Sequence, residues 1–474
     1  MISDAIRPAE MSRVLQQVHV APWMGSICCT VPRLIRDIMT IRNHNPARLI
    51  KVAIIGGGPG GLATAVALDK VPNLEVVLYE KSAVLREVGA GISIGQNTWN
   101  VLELLGAAGS LTSGHPTLAV LNLNGRTGEE LTRVERQDKG RHTSIRTERT
   151  HLQAALLKHV KPGVIRYGKK LEHIEDLKGV GVRMYFVDGS SDTADLVVGA
   201  DGICSVVRDS AWPKYPLKFT GTTIWRALLP RSELKALDPR FDITGWWHLP
   251  TSHVWFSPVG AGLSEIAARE YQEPEIHSAS KSTWGVPVTN EYVESHFKEY
   301  LPQIQAAIKS IPTGAWREFA AFVGPELPQL TAWNNKTVLV GDASHALSRA
   351  FGSGAGFAME DGWILAQSLA LFGNNLSKAL PLFDEIRLPY YARMYAHLEE
   401  QRLKRAESLG KIETPTEEDR VRSKVIGTGG KDMRWIYEND IGKAWENALG
   451  RLGVELPRYD SSRLDDSHEA IYAF

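Results

Sequence analysis

The chain is short of cysteine, of any excess of one charge and of long apolar runs. Its three cysteines, Cys28, Cys29 and Cys204, are too few for a disulfide framework and lack the spacing of a zinc site. They point to a reducing, cytoplasmic setting and to no metal. The 54 basic side chains balance the 54 acidic ones, so there is no electrostatic footprint for nucleic acid, and the expected partners are small molecules. No stretch reaches the ~18 unbroken apolar residues of a membrane span. Repeats and low-complexity tracts are also missing.

A chain of 474 residues exceeds one ordinary core, so more than one domain is expected. Residues 1–48 precede the first strand signal. Arg7, Arg13, Arg33, Arg36, Arg42 and Arg48 suit an organelle transit segment, whereas Asp4, Glu10 and Asp37 suit a plain, partly helical extension.

Chemistry begins at Lys51. The apolar run Lys51 to Ile55 reads as a buried strand, Gly56 to Gly61 follow at once, and Leu62 to Leu68 read as a helix. Gly56, Gly58 and Gly61 fit G-x-G-x-x-G, which sets a tight turn, a close approach for pyrophosphate and close helix packing, with the helix amino end facing the anion. A second strand, Leu74 to Tyr79, delivers Glu80, an acid suited to ribose hydroxyls. These features establish a dinucleotide site and leave FAD and NAD open.

Further blocks follow. Small residues Ala90 and Gly91 lead to Gly95-Gln96-Asn97, and Arg149-Thr150-His151-Leu152 opens a helix. The strand around Val197 ends in Asp201-Gly202, where an Asx-turn role for the aspartate is as good a reading as a cofactor contact. The strand Thr337 to Val340 ends in Gly341-Asp342-Ala343-Ser344-His345, and Gly352, Gly354, Ala355 and Gly356 come next. Asp342 at a strand end can meet ribityl hydroxyls, and the glycines open a helix whose positive end suits a reduced flavin. His345, one turn further, reads as packing. Between Arg208 and Leu330 the chain is rich in strand-forming and aromatic residues, among them Trp225, Trp246, Trp247, Trp255 and Phe256.

Together these blocks resemble the class A flavoprotein monooxygenases, in particular the salicylate hydroxylase-like branch of fungal secondary metabolism, over about Lys51 to Tyr437. The resemblance implies an α/β fold: a Rossmann-like FAD-binding domain of the para-hydroxybenzoate hydroxylase type, an interleaved β-sheet substrate domain and a helical C-terminal part. The expected division is an extension over 1–48, FAD-binding parts over 49–215 and 331–408, a substrate sheet over 216–330, and a C-terminal loop and tail over 409–474. Gly56, Gly58, Gly61, Glu80, Ala90, Gly91, Arg149, Asp342, Gly354 and Ala355 would hold FAD. Arg226, in Thr222-Thr223-Ile224-Trp225-Arg226, matches the arginine that pairs with a substrate carboxylate or phenolate.

The sequence departs from the family pattern at Arg349 and Ser353. It also has no tyrosine in Val254 to Pro258, where Ser257 is the nearest match and His253 an alternative base. A single dinucleotide turn leaves NADPH or NADH as a transient reductant. The implied reaction uses O2 to hydroxylate a phenolic aromatic acid, salicylate-like or an orsellinate-like polyketide, with decarboxylation where the attacked carbon carries the carboxylate. A dearomatising hydroxylase, an epoxidase or a non-catalytic flavin-fold binding protein remain alternatives, as do monomer and homodimer.

Overall fold

In the computed structural model, the described residues are 49–85, 90–136, 141–273, 284–347, 351–425 and 433–454. The first unit is a six-stranded sheet. Strand β1 (Ile50–Ile55) sits at its middle, with β2 (Leu74–Tyr79) on one side. Val52 to Ile55 are all buried, as expected for a parallel strand covered on both sides. Helix α1 (Pro59–Leu68) connects the two strands and is buried along its whole length, which explains its lack of a polar stripe.

A short strand β3 (Gly91–Ile94) and helix α2 (Gln96–Leu105) come next. The hairpin β4 (Ala119–Asn124) and β5 (Glu130–Glu135) then leaves this unit: β4 pairs in parallel with a strand of the second sheet. Residues 119–135 therefore pair with the second sheet, although the expected division placed them in the first FAD-binding part. Strand β6 (Ile145–Glu148) pairs antiparallel with β3 and runs into α3 (Arg149–Leu157). Strand β7 (Ile165–Arg166) edges the first sheet, and β8 (Leu196–Gly199) lies against β1, followed by α4 (Val206–Ala211).

The second sheet uses β9 (Lys218–Pro230), β10 (Thr244–His248), β11 (Ser252–Gly260), β12 (Leu263–Tyr271), β13 (Trp284–Pro287) and β14 (Arg317–Val323). Its order is β13-β14-β9-β12-β11-β10-β4-β5. Strand alternation divides the aromatic residues. Trp225, Trp247 and Phe256 point to one face and form a core with Leu121, Ile266 and Trp316. Trp246 and Trp255 alternate with them and point to the other face.

The chain then returns to the first sheet through β15 (Thr331–Ala332) and β16 (Thr337–Leu339), the latter parallel to β8. Helix α5 (Gly354–Leu371) crosses α1, and α6 (Leu376–Gly410) follows. The region expected as loop and tail contains three helices among its described residues after α6. Helix α7 (Glu417–Ser423) starts in a capping box, with Thr416 and Asp419 exchanging side-chain and backbone bonds, so a polar sequence reads as loop yet forms a helix. Helices α8 (Arg434–Tyr437) and α9 (Ile441–Arg451) pack Ile436, Ile441 and Trp445 into the core of the first unit. No described helix is long and apolar enough to cross a membrane.

The α1–α5 crossing is built from small residues. A Cβ on Gly60 would stand 2.9 Å from the Ala358 Cβ, and one on Gly362 would stand 2.9 Å from the Thr64 amide nitrogen and overlap its hydroxyl. The backbone cannot yield at a helix crossing. Gly362→Val is expected to lower stability by roughly 2–3 kcal/mol and to cut FAD retention, read by chemical denaturation and by bound-flavin absorbance.

Candidate active site

The pyrophosphate end is assembled at the amino end of α1. Gly56 has φ +107°, and a Cβ there would lie 2.5 Å from the Ala200 carbonyl, so the turn is closed to any side chain. Beside Gly58 the space is open: the nearest atom to a Cβ position is Arg149 Nη2 at 4.0 Å. The Arg149 amide donates to the Ala90 carbonyl at 3.0 Å, which ties the start of α3 to the small-residue segment. Glu80 is buried, accepting from the Gly57 amide at 2.7 Å and the Ser82 amide at 2.8 Å. Arg146, three residues earlier on β6, points elsewhere, as described below.

The second end lies where β16 meets α5. Asp342 is exposed on a short turn, and a Cβ on Gly354 would be 3.5 Å from its Oδ1. Asp361 holds that turn from behind. Its Oδ2 accepts from the Gly341 amide at 2.8 Å, and its Oδ1 accepts from Arg387 Nε and the Tyr391 hydroxyl, both at 2.6 Å. Arg387 also donates to Glu360 at 3.1 Å, and the His345 ring stacks on Tyr391 at 3.8 Å. Burial, then the Arg387 charge, hold the His345 imidazole well below its usual pKa, so it stays neutral and packs. Ala355 is half-buried beside Gly354, and the Ser353 hydroxyl donates to Asn97 at 3.0 Å. Arg349 and Glu87 to Gly89 lie outside the described residues.

Asp201 works as a structural cap, with Oδ2 accepting from the Val206 and Val207 amides at 2.7 and 3.2 Å. Cys204 packs beside the small apolar cluster of Ile203 and Phe322.

The open face of the second sheet completes the site. Pairing registers place Arg226, Ala267, Trp255 and Trp246 in one row, with Ile224, Arg269, His253 and His248 in the next. Arg226 is on an internal strand rather than an edge. Its Nε donates to Glu265 at 2.5 Å and its Nη2 donates to the Gly91 carbonyl at 2.9 Å. Arg146 binds the other oxygen of Glu265, donates to Ser93 at 3.1 Å and stands over the Trp255 ring. One buried carboxylate thus joins two arginines, leaving the triad cationic. Gly91 makes room for it, because a Cβ there would be 2.6 Å from Glu265 Oε2. The missing side chain serves an ion pair, where the sequence suggested ring approach alone.

A cleft beside this face is lined by Ile203, Ile224, Trp284, Phe319, Asp342 and Leu347, joining sheet and cofactor turn. Ser257 is fully buried and bonds Thr244 at 2.8 Å, so it is no substitute for the family tyrosine. Burial, then the Arg269 charge, push the His253 pKa well down, which makes its imidazole a weak proton acceptor. His248, bonded to Asn122 at 3.0 Å, is lowered to about 3 by burial and Lys424. Lys424 follows α7 and donates to the Leu249 and Ser252 carbonyls at the turn between β10 and β11. Burial, reinforced by Arg269 and Arg405, lowers its pKa to about 7.

The residues present fit FAD. The cradle beside Gly58 is open, Arg149 borders it, the α1 and α5 amino ends lie close together across the crossing, and Asp342 faces the cleft. The FAD-binding domain family model, FAD_binding_3, matches residues 50–395, and the chain belongs to that family. More narrowly, it is a class A FAD-dependent monooxygenase of the aromatic-hydroxylating kind.

It is 28% identical to 3-amino-4-hydroxybenzoate 2-monooxygenase of Streptomyces platensis, covering 84% of this chain and 97% of that one. It is also 28% identical to 6-methylsalicylate 1-monooxygenase of Aspergillus terreus, covering 72% and 79%. The fold is similar to that of a salicylate hydroxylase solved with its substrate, at a TM-score of 0.66 and 23% identity, covering 87% of this chain and all of that one.

Sequence motifs pointed to neither Glu265 nor Arg269 nor Lys424. Strand register reveals Glu265 and Arg269, and the bonds to the Leu249 and Ser252 carbonyls reveal Lys424; none of the three belongs to a motif.

Two expectations follow. Glu265→Gln leaves Arg146 buried without its counter-charge, so it should destabilise the protein by about 3–5 kcal/mol, read by denaturant unfolding; an unchanged midpoint would contradict the triad. Lys424 binds its proton more weakly in the fold than in the unfolded chain, whose usual value is 10.5. Its contribution therefore makes stability rise with pH between about 7 and 10. Relative to the unaltered protein, Lys424→Met should gain most at pH 7 and below, an advantage that fades by pH 10; a pH-independent difference would refute the assignment.

Proposed function

We propose that this chain hydroxylates a phenolic aromatic acid, salicylate-like or an orsellinate-like polyketide, using O2 and a transiently bound NADPH or NADH. The observation that carries the reading is the charge of the open sheet face: Arg226 and Arg146 share a single carboxylate, Glu265, and Arg269 stands in the next row, beside Trp246 and Trp255. Such a wall suits an aromatic ring bearing negative charge. The 6-methylsalicylate-acting relative in Aspergillus supports a role in fungal secondary metabolism.

FAD, held by the Gly56 to Gly61 turn and the Asp342 turn, would supply the oxygen activation, with electrons from the nicotinamide, one oxygen atom going to the ring and the other to water. The chain supplies position and charge. Arg226 Nη1 keeps no protein partner among the described residues, while Nε and Nη2 are held by Glu265 and Gly91. That free edge binds the phenol oxygen and favours its ionised form, which raises electron density at the attacked carbon. With His253 a weak base and no tyrosine on β11, the phenol proton passes to solvent, and the cationic face does the work that a base would otherwise do. Attack at a carbon bearing the carboxylate breaks the bond to that group, whose electrons return to the ring as carbon dioxide leaves.

The test is to incubate the yellow protein with NADPH or NADH and a panel of phenolic acids, following product mass and carbon dioxide. Acid-stimulated NAD(P)H oxidation with a product heavier by one oxygen, or with oxygen replacing the carboxyl, is expected. A dearomatised or epoxide product would place the chain with the dearomatising hydroxylases or epoxidases instead. Arg226→Ala should lower acid-dependent turnover by about 10- to 100-fold while FAD stays bound; loss of FAD instead would overturn its role at the substrate.

A further inference from the structure

Strand register carries one row of side chains from the middle of the second sheet to its edge. Ile224 of β9 stands opposite Phe319 of β14, and Phe319 stands opposite Trp284 of β13. Ile224, Phe319 and Ala321 form a small apolar cluster of their own, outside the two large cores. Three residues are too few to make a core. All three line the cleft that reaches Asp342 on the cofactor turn, so the cluster is the floor of an apolar groove between the sheet and that turn.

Trp284 stands at the outer end of this groove. It lies on β13, an edge strand, where charged side chains are the usual protection, yet the residue is a tryptophan with 39% of its surface exposed. The pairing register shifts between Trp284 and Val286, with Gly285 between them at φ +72°. A single extra residue in a left-handed conformation, which glycine adopts without strain, re-aims the side chain beside it. The indole meets the Phe319 ring edge-on, with centroids 5.2 Å apart and planes at 88°. Among the described residues that line the cleft, Asp342 is the one that carries charge.

The groove adjoins the place given above to the substrate ring. Arg226 lies two residues beyond Ile224 on β9, so the two side chains share a face at a separation of roughly 7 Å. With the ring oxygen at Arg226, a ring substituent directed toward Ile224 enters the groove after one or two carbons. Phenyl and indole walls suit an alkyl or aryl group, and the Asp342 carboxylate repels a second acid. We propose that the groove of Ile224, Phe319, Ala321 and Trp284 receives a neutral, apolar substituent of the aromatic acid, so that the enzyme selects alkyl-bearing acids over the bare ring. This rests on the phenolic-acid reading above and adds to it the residues that choose among such acids.

The probes are salicylate and its methyl, propyl and carboxyethyl derivatives at ring positions 4, 5 and 6, turned over by the FAD-loaded protein with saturating NADPH or NADH. The readout is the ratio of kcat/KM for the best propyl acid to that for salicylate within each protein, which cancels any loss of active material. In the unaltered protein three added carbons should raise this ratio to about 10-fold or more, and the carboxyethyl acid should fall below its propyl counterpart. Trp284→Ala, which removes a wall, and Ala321→Leu, which fills the floor, should each bring the ratio to within about threefold of unity. Trp284→Phe should keep much of the preference. Val286→Ala, on the same strand and off the groove, should leave the ratio where it was.

A ratio that Trp284→Ala and Ala321→Leu leave unchanged overturns the groove as a substituent site, and so does an equal fall in Val286→Ala, which would mark a disturbed strand. A rise in the KM for NADPH or NADH in Trp284→Ala at constant ratio would give the groove to the reductant instead. If the unaltered protein hydroxylates bare and alkylated acids equally well, the groove fails while the phenolic-acid reading stands. If it turns over none of these acids, that reading fails and the groove with it.

Discussion

The structure depends on one close crossing, where Gly60 of α1 meets Ala358 of α5 and Gly362 of α5 meets Thr64 of α1. Helix α1 begins at the dinucleotide turn, and α5 begins at the loop after Asp342. Side chains any larger at the crossing would drive these helices apart, and with them the two ends of the cofactor site. Packing distance here is therefore a functional quantity, since a cofactor spanning both ends needs each amino end at a fixed place. The Asp361–Arg387–Tyr391 cluster acts from behind to the same effect. It fixes the Gly341 amide, and hence the turn that presents Asp342.

A second constraint joins the first unit to the second sheet. Glu265 of β12 binds Arg146 of β6 and Arg226 of β9, and Arg226 also binds the Gly91 carbonyl on β3. A buried triad of this kind contributes little net stability, since desolvation offsets much of its attraction, yet it sets register strictly. Its consequence is geometric: the small-residue segment beside the cofactor cannot shift relative to the cationic face without breaking a charge-assisted bond. The hydroxylase reading then needs few special groups. The sheet offers positive charge, tryptophan walls and neutral histidines, and it offers no strong base.

The first unit was legible in the sequence because its signals are local. The β1 strand, the Gly56 to Gly61 turn, the β2 strand and Glu80 follow one another directly, and the Gly341-Asp342 block is as compact. The sheet face was hidden because its chemistry is non-local. Arg226 became visible through a resemblance, but Glu265 and Arg269 gain meaning only from antiparallel register, in which a shift of one residue sends each to the opposite face. The β4–β5 hairpin misled for a similar reason: residues 119–135 lie in the sequence amid the cofactor unit but pair with β10. Helix α7 went unseen because Thr416 and Asp419, which start it, are also loop-favouring residues.

The most direct test of the account is isotopic. With 18O2, NADPH or NADH and the phenolic acid that best stimulates the flavin-loaded protein, the purified product should carry one 18O atom at a ring carbon, with one nicotinamide oxidised per product. A product whose new oxygen comes from water, or nicotinamide oxidation that yields only hydrogen peroxide with every acid, would contradict it.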